Sequence, residues 1–291
     1  MKKAFTHIIL VLTLAVLAAG CTRRQLETRP DDGILIINLQ WGGISGRPAG
    51  TQYTLYNTTT GETLRRQGDA NGYVGHVPAG IYEIIAINTG LNNIILSDGT
   101  GYLSDNVTAD QDILWAPAGY IKSISNAFSS SIANVEVSKT HIPTVVGMPM
   151  HNLTRKLSVT VETNGYPNID NLYVSVDGIV TGRDLHDRSL HNDMAQVTSE
   201  VVKHPILPDR YEGSISFFGV KPGGTNLIDA TLVYNGVSET SDQIDITTDL
   251  ADPNDTDVTI SITLTFTTVT IDVTVTVHGW DESGTGSGDV G

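Results

Sequence analysis

Few side chains in this sequence are spaced for chemistry. The densest cluster is Asp184-Leu185-His186-Asp187-Arg188-Ser189-Leu190-His191-Asn192-Asp193, whose histidines and aspartates are of metal-ligating type. His186 and His191 are five apart, which shares a face of neither a helix nor a strand. The cluster therefore reads as a solvated loop, and no metal site is expected. Asp249, Asp252, Asn254, Asp255 and Asp257 form an oxygen-rich stretch without the glycine and closing glutamate of a calcium loop. It reads as an Asx-rich turn. No serine sits in a nucleophile elbow and no glycine loop is built to cradle phosphate. No catalytic residue, cofactor or small-molecule substrate is indicated, and the chain is not expected to be an enzyme. Trp41, Trp115 and Trp280 read as core residues rather than sugar-stacking platforms.

One residue has a specific chemistry. Lys2 and Lys3 precede an apolar run from Ile8 to Leu17, and Ala18, Ala19 and Gly20 then lead to Cys21. A basic start, a short apolar core and small residues at the cut make a secretory signal. The apolar run is about half the roughly 20 residues that span a bilayer, so a transmembrane helix does not fit. Leu17-Ala18-Ala19-Gly20-Cys21 resembles a lipobox, with its leucine one position further back than usual. Cleavage between Gly20 and Cys21 then leaves an N-terminal thiol that carries acyl chains. Cys21 is the only cysteine in the chain, although export would permit disulfides. An acylated thiol explains that count, and two or more chains make a stable anchor.

The polar stretch Cys21–Asp32 reads as a tether to the outer membrane, since no aspartate follows the cysteine directly. The chain carries 32 acidic against 17 basic residues, a formal charge of −15. That balance argues against nucleic acid as a partner and leaves the acyl chains as the membrane contact.

Positioning falls to strands. From Gly33 onward apolar residues recur with period two, in Ile34–Trp41, Tyr53–Tyr56, Tyr73–Val77 and Ile81–Ile87. A second series runs through Leu157–Glu162, Leu172–Val176, Gly213–Phe218 and Leu227–Tyr234. Short alternating runs separated by Gly, Pro, Asn and Asp indicate an all-β protein of sandwich type. Asp105 to Asp112 is expected to hold at most one helical turn. Val77-Pro78-Ala79-Gly80-Ile81-Tyr82-Glu83 is echoed by Leu207-Pro208-Asp209-Arg210-Tyr211-Glu212. Two tandem sandwiches fit: a signal at 1–20, a tether at 21–32, domains at 33–145 and 146–280, and a flexible tail at 281–291.

The order of several segments carries a resemblance. Ile36-Ile37-Asn38-Leu39-Gln40-Trp41, Val77–Tyr82, Ala86–Thr89, Val145–Met148, Arg155–Val161, Phe217–Gly219 and Asp272–Trp280 follow one another as they do in fimbrial-anchor and fimbrillin-like lipoproteins of Bacteroidetes. The resemblance implies two transthyretin-like, Ig-like β-sandwich domains. It also implies a lipid-anchored, outer-membrane or cell-surface role in anchoring or assembling fimbriae, with fimbrial subunits as partners joined by β-strands. The alternative, from another class, is a surface glycan-binding lipoprotein of a polysaccharide-uptake system.

Asp257 to Trp280 is the most unusual stretch. Val258 to Phe266 alternate on one parity, and Val269, Ile271, Val273, Val275 and Val277 on the other. As one strand it would reach roughly 80 Å. Either the chain turns back at Thr267-Thr268, or a bulge carries one long strand between sheets. Val269, Ile271, Val273, Val275, Val277 and Trp280 form the candidate strand-exchange segment.

Overall fold

Period-two alternation becomes strand because successive side chains on a pleated backbone point to opposite faces. The structure, a computed structural model, describes residues 31–44, 46–97, 106–109, 120–164, 169–251, 257–267 and 270–278. In chain order the first strands are β1 (Asp32–Gln40), β2 (Gly50–Asn57), β3 (Thr63–Asp69), β4 (Gly72–Pro78) and β5 (Gly80–Asn88). There follow β6 (Ile94–Ser97), β7 (Asn106–Ala109), β8 (Tyr120–Lys122), β9 (Phe128–Val137), β10 (Thr144–Pro149) and β11 (His151–Asn152). The second half holds β12 (Arg155–Asn164), β13 (Asn171–Val180), β14 (Gly182–Asp184), β15 (Met194–Lys203), β16 (Arg210–Phe217), β17 (Leu227–Tyr234), β18 (Val237–Thr240) and β19 (Ile244–Asp245). A four-residue helix, α1 (Thr247–Leu250), precedes β20 (Asp257–Thr267) and β21 (Thr270–His278).

The first sandwich packs a three-stranded sheet, β10-β1-β4, over a five-stranded one, β11-β9-β5-β2-β3. Leu35 and Ile37 from one layer meet Tyr53, Leu55, Tyr82 and Ile84 from the other in a single core. Most neighbours are antiparallel, but β10 runs parallel to β1, pairing Leu35 with Thr144 through to Gln40 with Pro149. Position 145/146 therefore falls inside a strand of this sandwich. Tyr82 is fully buried, and its hydroxyl donates to the Pro78 carbonyl at 2.7 Å. That bond pins the proline turn to the strand it feeds, in the manner of the tyrosine corners of other sandwiches.

In the second sandwich β15 links two layers. It pairs with β13 along most of its length and with β16 only through Val202 and Lys203. One layer runs β18-β17-β13-β15, and the other β16-β12-β20-β21. Leu157, Val159 and Ile215 share a core with Leu172, Val174 and Ile228.

The halves are laced together. β7 pairs with β14 and β8 runs parallel to β15, so strands of the first half complete sheets of the second. β5 is buried on both faces: Ile84 and Ala86 enter the first core, while Ile85 and Ile87 enter the second. An unbroken apolar run, Ile84-Ile85-Ala86-Ile87, is what a strand covered on both sides requires. Asp105–Asp112, expected to hold at most a helical turn, holds no helix over its described part. Asn106–Ala109 is strand, because Val107 and Ala109 are two apart and both drop into the second core.

Candidate functional site

The candidate strand-exchange segment falls in the last hairpin. β20 runs parallel to β12, from Lys156 opposite Asp257 to Asn164 opposite Thr265. β21 folds back on β20 with Thr267 opposite Thr270, and Ile260 opposite Val277. Of the two geometries open in the sequence, the chain adopts the turn and not the long crossing strand. Ile271, Val273, Val275 and Val277 pair with Phe266, Leu264, Ile262 and Ile260. Val269 and Trp280, and also Gly20 and Cys21, lie outside the described residues.

β21 ends its sheet, and among the described residues its only partner is β20. Sheet edges invite pairing, and proteins blunt them with short strands, charge, proline or glycine. The other outer strands are blunted in these ways. β3 carries Arg65, Arg66 and Gly68, β10 carries Gly147 and Pro149, and β4 carries Gly72, Gly75 and Pro78. β18 and β6 have four residues each, β14 has three, and β11 has two. β21 has nine, Thr-Ile-Asp-Val-Thr-Val-Thr-Val-His, with one acid and no proline or glycine. Seven of them, all but Asp272 and His278, are β-branched and suit an extended backbone.

The His/Asp loop is built as turns. The Asp184 carboxylate accepts from the His186 N–H at 2.8 Å, and the Asp187 carboxylate from the Ser189 N–H at 2.8 Å. The Ser189 hydroxyl and N–H hold the Asp187 carboxyl below the usual carboxylate range. Among the described residues no three His, Cys, Asp or Glu side chains converge as metal ligands. Trp41 is buried; its indole N–H donates to the Ala70 carbonyl at 2.6 Å, and its ring meets Phe128 edge-on at 5.7 Å. Trp115 lies outside the described residues.

Sequence reasoning passed over one further feature, a cavity of about 310 Å³ at one end of the second sandwich. Arg155 at the start of β12, Arg183 on β14 and Lys221 after β16 line it. These residues are far apart in sequence, so only the fold brings them together.

No protein-family profile and no curated protein matches the sequence. Solved structures do match the fold. A proposed adhesin from Bacteroides ovatus aligns with a TM-score of 0.64 at 16% identity, over 82% of this chain and 96% of its own. A proposed polysaccharide-binding protein from Bacteroides thetaiotaomicron aligns at 0.59 and 12%, over 87% and 100%. The fimbrial anchor protein Mfa2 from Porphyromonas gingivalis aligns at 0.55 and 11%, over 85% and 97%. The chain shares their fold. These neighbours come from the group of bacteria whose fimbrial lipoproteins the sequence resembles.

Proposed function

We propose that the protein is a lipid-anchored outer-membrane component that anchors surface fimbriae, or assists their assembly, by offering the free edge of β21 to another subunit. The observation that carries this reading is the contrast among edges: β21 is nine residues long and, among the described residues, uncovered, while the other outer strands are short, charged or broken. An incoming strand on such an edge gains main-chain hydrogen bonds along its length, and alternate side chains set specificity. In this reading Cys21 carries the acyl chains, residues 21–32 are the tether, and the two sandwiches present the hairpin away from the membrane. The role is structural, with fimbrial subunits as partners.

The fold shared with Mfa2 supports this reading. The fold shared with a proposed polysaccharide-binding protein favours the alternative, a surface glycan binder. Burial of Trp41 weighs against that alternative, because its indole has no face open to stack on a sugar.

The test is a pair of charges on the edge. Thr274→Lys with Thr276→Lys leaves Val273, Val275 and Val277 in place but blunts the strand. The double variant should keep the wild-type melting temperature and lose fibre attachment. A folded variant that still holds fibres at the wild-type level removes β21 from the joint.

A further inference from the structure

We propose that the cavity between Arg155, Arg183 and Lys221 is a binding site for a small oxyanion, a carboxylate or sulfate carried on a body no larger than a monosaccharide. The inference is independent of strand pairing at β21 and stands or falls by itself.

The cavity concentrates positive charge. In a chain with 32 acidic and 17 basic residues, three of the residues lining this cavity are cationic and, among the described residues, none is acidic. A surface of that composition has to be organised to gather three positive groups around one space. Arg155 is 6% exposed, its Nη1 donates to the Leu250 carbonyl at 2.7 Å, and its guanidinium lies 5.9 Å from the centre of the Phe217 ring. These contacts fix it at the cavity wall. Arg183 is half-buried, and among the described residues its buried Nε has no hydrogen-bond partner. Burial, and then the positive charges of Arg155 and Arg188, push the Arg183 guanidinium below its usual range. A bound anion would relieve that repulsion. Guanidinium groups suit this task because their planar fork matches carboxylate and sulfate oxygens two at a time.

The cavity is also small and shaped by glycines. Gly219 adopts φ +156°, and a Cβ there would come within 3.0 Å of the Leu190 side chain and 3.6 Å of Arg183 Nη2. A side chain there would crowd Leu190 in the wall and reach Arg183 in van der Waals contact. The turn from Lys221 to Gly224 closes through the Gly224 N–H donating to the Lys221 carbonyl at 2.9 Å, with Gly223 at φ +74°. That turn sets Lys221 at the rim. Leu190, Val220 and Pro222 supply apolar wall. A volume of about 310 Å³ is at the small end for ligand pockets, so a single sugar-sized unit fits and a polymer does not. No aromatic side chain lines it among the described residues, so a neutral sugar has nothing to stack on.

The test is titration calorimetry on the detergent-solubilised full-length protein at low ionic strength, where surface screening is weak. The probes are sodium glucuronate, sodium sulfate and uncharged glucose. Binding of glucuronate, sulfate or both, with glucose silent, is the expected result. Arg183→Gln and, separately, the rim variant Lys221→Gln should each weaken the bound anion by about tenfold while the melting temperature stays unchanged. Neither anion binding, glucose binding as well as the anions, or both folded variants keeping wild-type affinity would overturn the assignment.

Discussion

Ile84 and Ile85 are neighbours in the chain and lie in different hydrophobic cores, Ile84 in the first sandwich and Ile85 in the second. Both are essentially inaccessible to solvent. The five-stranded sheet thus serves as a shared wall, and β7 and β8 reach past it to pair with β14 and β15.

Unfolding should therefore be a single event. Ile84→Ala and Ile85→Ala should each cost about 2–5 kcal/mol, the usual range for emptying a buried site. Both should lower one common calorimetric transition. Two resolved transitions, each moved by only one of the variants, would show that the sandwiches fold as separate units.

Asp229 gives a pH-dependent test. It sits on β17, is 7% exposed, and accepts from Gln243 Nε2 at 3.2 Å and Gln196 Nε2 at 3.5 Å. Burial raises its carboxyl above the usual range, the Gln243 bond opposes this, and the charge of Asp177 adds to it. Between the unfolded value and the raised folded one, the folded state keeps a proton that the unfolded chain has lost. The contribution to stability is complete below the unfolded value of about 3.9 and disappears as pH rises through the folded one. Asp229→Asn should raise the melting temperature by a few degrees at pH 7 and give no gain at pH 3. A variant no more stable than wild type at pH 7 would contradict this.

The anchor makes its own prediction. Cys21→Ala removes the only thiol of the chain, so the protein should move from the membrane fraction to the soluble one. Retention in the outer-membrane fraction after a salt wash would rule out acylation at Cys21 as the attachment.

Much of this fold is legible in the sequence, for a physical reason. Where one face of a strand is buried and the other is wet, the pattern writes itself into residues such as Leu35 and Ile37, or Leu157, Val159 and Val161. It fails where a strand is short or built from small polar residues. Ser129 and Ser130 of β9 resemble a loop, yet they are 0% and 1% exposed, in a strand whose Phe128 and Val135 serve the first core. Val107 and Ala109 are too few to announce β7. The doubled parity around Thr267-Thr268 marked a break between two strands, while the choice of a hairpin rested on a pairing that only the fold displays. Arg155 and Arg183 carry no local motif, because their meeting is made by β12 and β14 and not by spacing.

Strand pairing at β21 is tested most directly by cross-linking from the edge itself. With Cys21 acylated, Thr276→Cys introduces the one free thiol of the mature protein, placed opposite Ser261 on the outer strand of the sheet. Arg66→Cys places the same thiol on β3, an edge guarded by charge. Cells bearing each variant are treated with a short thiol-to-amine cross-linker, and the products are identified by mass spectrometry. The account predicts a covalent adduct with a fimbrial subunit from position 276 and none from position 66. Adducts from both positions alike, or none from position 276 in a folded, membrane-bound protein, would contradict it.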